Sequence, residues 1–183
     1  SKKMANNLPF LESFLPNALR RDYWKNENRL FNLVMASGVT ASTQIITGKN
    51  KIQMLINEIA TLEGNNFSST GVVVTPADYW DILTTEKSTG AGYGLPQFVT
   101  FNNGLLMING IPVYKANWVL TNKYYVGDLT QIKKVITMGL SVEFSEHDED
   151  NFRKNNISAR VEAQVGLAIE RIDAVIYGDF TAV

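Results

Sequence analysis

The residues with the most chemical potential are few. Glu146-His147-Asp148-Glu149-Asp150 gathers four carboxylates around the one histidine of the chain. Carboxylate oxygens could hold a divalent cation that activates water, as in a small metal-dependent hydrolase relying on Asp148 and Asp150. The run lacks the alternating ligands and the glycine of a calcium loop, so a solvated turn is the plainer reading. Gly90, Gly92 and Gly94 make a Gly-rich loop, but no Gly-Lys-Ser/Thr follows and the spacing of a dinucleotide-binding turn is missing. A flexible loop is expected there. Cysteine is absent. Thiolate metal sites, iron–sulfur clusters, disulfides and Cys nucleophiles are therefore excluded. A Ser–His–Asp triad would have to use His147, and a multi-histidine metal site is impossible. On these residues no catalytic, cofactor or metal site is assigned, and the chain is not expected to be an enzyme.

The composition agrees. The chain has 183 residues, 45% hydrophobic and 19% charged, with a formal net charge of −1. That suits one or two compact units with a real core and argues against disorder. A near-neutral chain is a poor candidate for a dedicated nucleic-acid binder working through bulk charge. Lys2, Lys3, Arg20, Arg21, Lys25 and Arg29 give a local positive excess that could face DNA. A helix face paired with acidic neighbours is the simpler account. Trp24, Trp80 and Trp118 read as packing residues before base-stacking platforms. No apolar run approaches the roughly 18 residues that span a bilayer, so no membrane partner is expected.

The elements follow from spacing. Pro16-Asn17 opens a helix to about Ser37, with Gly38 as its stop. Its apolar stripe (Leu19, Tyr23, Leu30, Phe31, Val34) is thin, and Arg20, Arg21, Asp22, Lys25, Glu27 and Arg29 cover the rest, as on a surface helix. Residues 1–8 are expected to fray, and 39–49 read as a connection. Asn50 with Gln53 is a capping-box pattern, and Ile52, Leu55, Ile56, Ile59 and Leu62 follow at helical spacing until Gly64-Asn65. Val72-Val73-Val74 reads as a buried strand. Thr75-Pro76 turns it into a helix with Asp78 in its cap. Short strands are expected near 105–108, 111–116 and 124–127.

The last fifty residues change character. Met138, Leu140, Val142 and Phe144 alternate with small or polar residues, the pattern of a half-buried strand. After the polar stretch 146–156, alternation runs unbroken from Ile157 to Ile169. At about 3.3 Å per residue that strand is roughly 43 Å long, enough to extend past one compact sheet. A strand at Ala174–Tyr177 closes the chain. The class is α+β, with two lobes visited more than once.

Several landmarks then occur in order across residues 70–180. They are Val72-Val73-Val74-Thr75-Pro76-Ala77-Asp78-Tyr79-Trp80, the loop Gly90 to Gln97, Gly110-Ile111-Pro112-Val113, Val126-Gly127-Asp128-Leu129, Asn151-Phe152-Arg153-Lys154-Asn155 leading to Arg160-Val161-Glu162, and Asp173-Ala174-Val175-Ile176. Together they resemble the major capsid proteins of tailed phages, the Hong Kong 97 type. Residues 16–38, with Glu27-Asn28 before Leu30-Phe31, resemble the later part of that family's spine helix.

The resemblance implies an axial α/β lobe from residues 46–131 with the closing strand 169–183. It implies a peripheral lobe from residues 1–45, which carry the spine helix, and the long antiparallel strands of 132–168. It implies a coat protein of a phage or prophage that self-assembles into pentamers and hexamers of an icosahedral shell around double-stranded DNA. Assembly in the bacterial host cytoplasm and a place in the virion capsid follow. So do scaffold, protease and portal proteins as partners, with DNA enclosed and not read by sequence. An encapsulin, a bacterial compartment of the same fold, is the alternative. Residues 1–15 cannot supply the family's N-terminal arm or extended loop, and the start at Ser1 points the same way. The chain is therefore expected to be a fragment, and alone a monomer or weak oligomer. Some family members crosslink an extended-loop Lys to an Asn with a Glu as catalyst. Asn155 and Glu162 align with that Asn and Glu, while the Lys has no counterpart. Solvated or interfacial side chains are the plainer reading of both.

Overall fold

The computed structural model describes residues 8–44, 48–85, 98–145 and 158–181, with side chains from residue 14 onward. Two compact units emerge. One holds the chain up to Phe31 and Lys134–Ala168, and the other holds Asn32–Lys133 with the segment from Ile169 onward.

The larger unit is built on a seven-stranded mixed sheet. Its strands are β1 (Thr40–Ala41), β2 (Gly71–Val74), β3 (Val99–Asn102), β4 (Leu105–Ile108), β5 (Ile111–Lys115), β6 (Lys123–Gly127) and β9 (Val175–Asp179), in the order β1-β9-β6-β2-β5-β4-β3. The β1–β9 and β2–β5 pairs are parallel, and the others antiparallel. β2 sits at the centre, and all of its residues are buried. A strand covered on both faces reads as an unbroken apolar run, which is why Val72-Val73-Val74 shows no alternation. Register places Val73 opposite Tyr125, which in turn faces Tyr177. Val72 faces Val126, and Val74 faces Tyr124.

Two helices cover the Val72/Val74 face. Helix α2 (Lys51–Gly64) opens with the expected capping box: Gln53 N donates to Asn50 Oδ1 at 2.8 Å, and Asn50 N donates to Gln53 Oε1 at 3.0 Å. It buries Ile52, Leu55, Ile59 and Leu62 against the sheet. Helix α3 (Pro76–Leu83) begins at Pro76, and the Thr75 hydroxyl accepts from Asp78 N at 3.1 Å. Tyr79 of α3 ties helix to sheet: its hydroxyl accepts from Leu106 N at 3.0 Å and donates to Gly104 O at 3.3 Å. Across the other face, Tyr125 lies against Trp118 and Tyr177, and its hydroxyl donates to Asn32 Oδ1 at 2.8 Å. Burial, with the neighbouring Tyr177, pushes the Tyr125 hydroxyl far above the ordinary phenol range.

The Gly-Asp landmark has a local cause. A Cβ on Gly127 would fall 2.1 Å from Ala174 O, so β6 and the segment before β9 can approach only there. Asp128 then caps the short turn 129–131, accepting from Thr130 N at 3.1 Å and Thr130 Oγ1 at 2.6 Å. Those bonds to Thr130, above all, hold its carboxyl below the ordinary range.

In the smaller unit, the first part of helix α1 (Leu8–Gly38) accompanies a two-stranded ribbon of β7 (Ile132–Ser145) and β8 (Ser158–Ile169). α1, β7 and β8 each have residues in both units.

Several expectations change. The helix starts at Leu8, not at Pro16, and takes Pro16 into its interior although proline cannot donate to the carbonyl four residues back. The connection 39–49 contains β1, which pairs with β9 through Thr40 and Ala41. β3 was not expected. It is folded back on β4 by Asn103-Gly104, and β4 on β5 by Asn109-Gly110. All four turn residues have positive φ, as tight two-residue hairpins require. The closing strand is Val175–Asp179, two residues beyond its expected end. Residues 1–7, where fraying is expected, and residues 86–97 and 146–157 lie outside the described residues.

Gly178 lies under the Tyr124 ring, and a Cβ there would meet that ring at 2.1 Å. Tyr124 is fully buried, with its hydroxyl 2.9 Å from Glu58 Oε1 and its ring 4.6 Å from Phe180. It has little room to yield. Gly178→Ala is expected to destabilise the chain by about 2–3 kcal/mol. Gly139→Ala, with nothing within 4 Å, should change stability by less than about 0.5 kcal/mol. Denaturant unfolding of both variants checks the contrast.

Candidate assembly surfaces

Glu27 is the main surprise of the smaller unit. It was expected on the polar face of its helix, yet it is buried. Lys134 of β7 answers it at 2.8 Å, and Tyr23 OH donates to Glu27 Oε1 at 3.3 Å. The Lys134 ammonium also lies over the rings of Trp24 (4.6 Å) and Phe31 (5.6 Å). Helix and ribbon are thus tied by an ion pair whose carboxylate is buried and whose ammonium keeps some access to solvent. Partners 107 residues apart leave no local signal.

Around that tie, apolar surface is left open. Val135 and Ile136 are 50% and 59% exposed. Consecutive strand residues point to opposite faces, so neither face of the ribbon is covered there. Met138, Phe144, Phe14 and Leu30 are exposed as well, and Trp24 is 45% exposed. The half-buried strand expected at 138–144 is therefore more open than its alternation implied, because a two-stranded ribbon has no second layer over it. On the larger unit Trp80 is 51% exposed, with Phe98, Phe101, Tyr114 and Leu120 also open. Lys115 Nζ sits over Tyr79 (4.7 Å) and Trp80 (5.0 Å). Trp24 and Trp80 are accordingly half-exposed and not interior packing residues, while Trp118 packs on Tyr125 as expected. Single exposed apolar residues are ordinary, and it is where they adjoin, as at Val135 and Ile136, that a contact surface can form.

The charged candidates are modest. Glu162 stands exposed on β8, 3.1 Å from Arg160, which also reaches Glu143 at 2.8 Å. Asn155, Asp148, Asp150, His147 and the glycines of the 90–94 loop lie outside the described residues. Among the described residues no three potential metal ligands cluster, and no helix is long and apolar enough to cross a membrane. Arg20, Arg21, Lys25 and Arg29 line an exposed stretch of α1. Asp22 approaches Arg21 at 3.8 Å and Lys25 at 3.9 Å, so part of that charge is compensated locally. In the larger unit, Lys51 joins Asp78 (2.8 Å) and Asp81 (2.6 Å). Burial works against its charge, but hydrogen bonds to the two carboxylates outweigh that and hold its pKa above the ordinary value.

Comparison with known proteins gives these surfaces a context. The model of the Phage capsid family matches residues 1–180. The "Major capsid protein" of Enterobacteria phage HK97 is 26% identical over 195 aligned positions, covering 100% of this chain and 50% of that protein. The chain thus spans about half the length of this curated relative. A solved structure from Mycobacterium phage Che8 superimposes with a TM-score of 0.66 at 18% identity, over 92% of this chain and 63% of that one. The encapsulin complex of Synechococcus elongatus PCC 7942 gives 0.57 at 14% identity, over 92% and 66%. Both likenesses are of fold.

Removing Lys134 would strand the buried Glu27 carboxylate. Lys134→Met is expected to destabilise the chain by about 2–4 kcal/mol, and Lys134→Met with Glu27→Leu should recover most of that loss. A double-mutant cycle by denaturant unfolding measures it; additive losses would mean that the pair does not hold helix to ribbon.

Proposed function

Because this chain belongs to the phage capsid family, we propose that it forms the shell of a tailed bacteriophage or prophage. The observation that carries the reading is the family match over residues 1–180. Copies would associate into pentamers and hexamers and close around double-stranded DNA, in a virion capsid assembled in the bacterial host cytoplasm. Scaffold, protease and portal proteins are the partners expected on that route. The larger unit is read as the axial domain and the smaller as the peripheral domain.

The physical means would be repetition. Each interface need only be modest, because closed symmetry makes every copy engage several neighbours at once. Exposed apolar side chains on both units, Ile136 and Trp80 among them, are the natural material for such contacts. Nothing in this mechanism requires bond chemistry, and Glu162 is read as part of the ribbon's charge network with Arg160 and Glu143. The encapsulin alternative is supported by likeness of fold only, at 14% identity. Fold alone does not specify contents.

Electron microscopy of the natural gene product, expressed with its neighbouring assembly genes, tests the proposal. Uniform closed shells containing DNA are expected. Shells that enclose a cargo protein and no nucleic acid would move the reading to an encapsulin, and small oligomers alone would overturn it. Ile136→Asp should leave the stability of the isolated chain within about 0.5 kcal/mol, because the site is exposed, yet sharply lower the yield of shells. Unchanged yield would remove the ribbon from the assembly contacts.

A further inference from the structure

Glu58 lies beside the apolar stripe of α2 and is only 2% exposed. Its Oε1 accepts three hydrogen bonds, from Ser42 Oγ, from Gln44 Nε2 at 2.6 Å and from Tyr124 OH at 2.9 Å. None of these donors carries a positive charge, and no ion pair reaches Glu58 among the described residues. Its Oε2 accepts nothing among them. In the same cluster Gln44 Oε1 is buried without a partner. Buried carboxylates are normally answered by charge, and a buried amide oxygen with no partner beside one is unusual.

Beside this cluster opens a cleft of about 630 Å³ at the β1 side of the sheet. Glu58 lines it, and with Oε1 taken by three donors, Oε2 is the acceptor left for an occupant. Thr61, Asp173, Phe67 and Ile176 also line it. Arg171 lines it too, with its guanidinium over the Phe67 ring at 5.5 Å. The volume is that of a small-molecule or side-chain site. A bare metal ion suits it poorly, since the described residues offer no cluster of three ligands.

We propose that this cleft binds an organic cation, an ammonium on an aliphatic stem. Its N–H groups donate to Glu58 Oε2, with Asp173 adding attraction, while the stem packs on Phe67 and Ile176. The same chemistry could come from a lysine of a second copy of this chain or from a free alkyl diamine. The inference stands apart from the shell reading, because every residue named in the cleft belongs to one folded chain.

The test is an NMR titration of the full chain with putrescine, beside its neutral analogue butanediol. Putrescine should give saturable shifts at the amides of Thr40 to Ser42, Thr61 and Asp173, and butanediol should not. Glu58→Gln should weaken binding about tenfold or more. Asp173→Asn, an exposed change that leaves the core untouched, should weaken it about threefold. If the same amides shift with protein concentration alone and putrescine reverses this, the source is a second copy; if they do not, it is the free diamine. Absence of saturable shifts, equal response to butanediol, or indifference to Asp173→Asn in a folded variant overturns the proposal.

Discussion

Because consecutive side chains of β2 point to opposite faces, burying Val72, Val73 and Val74 together requires cover on both sides of the sheet. Each of these valines is worth about 1.5–3 kcal/mol when buried, so the demand is strong. On one side α2 and α3 supply the cover, with Leu55, Leu62, Tyr79 and Ile82 packed against Val72 and Val74. On the other, Tyr125 fills the space next to Val73 and is itself pinned by Trp118, Tyr177 and Asn32. Asn32 belongs to the last turns of α1. The need to cover one central strand twice therefore brings the end of α1 into the larger unit, while its beginning belongs to the smaller.

The two units handle burial differently. The larger encloses polar groups and satisfies most of them: Asp78 by Thr75 and Lys51, and Glu58 by Ser42, Gln44 and Tyr124. Among the described residues the smaller has part of one helix and a two-stranded ribbon, too little to make a second layer over both strand faces. It is held by the Glu27–Lys134 pair and leaves Val135 and Ile136 in solvent. A ribbon of this kind is marginal by itself. Open apolar surface on such an element is what the proposed association of copies would cover.

Fold and content remain separate questions. A phage structure and an encapsulin complex both superimpose on this chain at low identity. Likeness of fold at that identity does not specify what an assembly holds. The match to the phage capsid family over residues 1–180 is what separates the readings.

Much of the architecture was legible in the residues because it depends on local rules. The capping box at Asn50, the turn of Thr75-Pro76 into α3, the run Val72–Val74 and the alternation through 158–169 all act within a few residues of themselves. The tight turns at Asn103-Gly104 and Asn109-Gly110 carried an equally local signal, and β3 could have been found from it. Glu58 was also within reach, since it falls three residues after Leu55 and four before Leu62 on the buried side of α2. What stayed hidden depends on distant partners. Pattern alone puts Glu27 among solvated charges, and only the arrival of Lys134 makes its burial tolerable. Alternation in 138–145 says that a strand exists but not whether anything lies over it. Sequence determined the elements and the family, because turns, caps and periodicity are short-range. Tertiary structure decided which charges are buried and which apolar faces remain open, because those outcomes depend on what else comes to lie within a few ångströms.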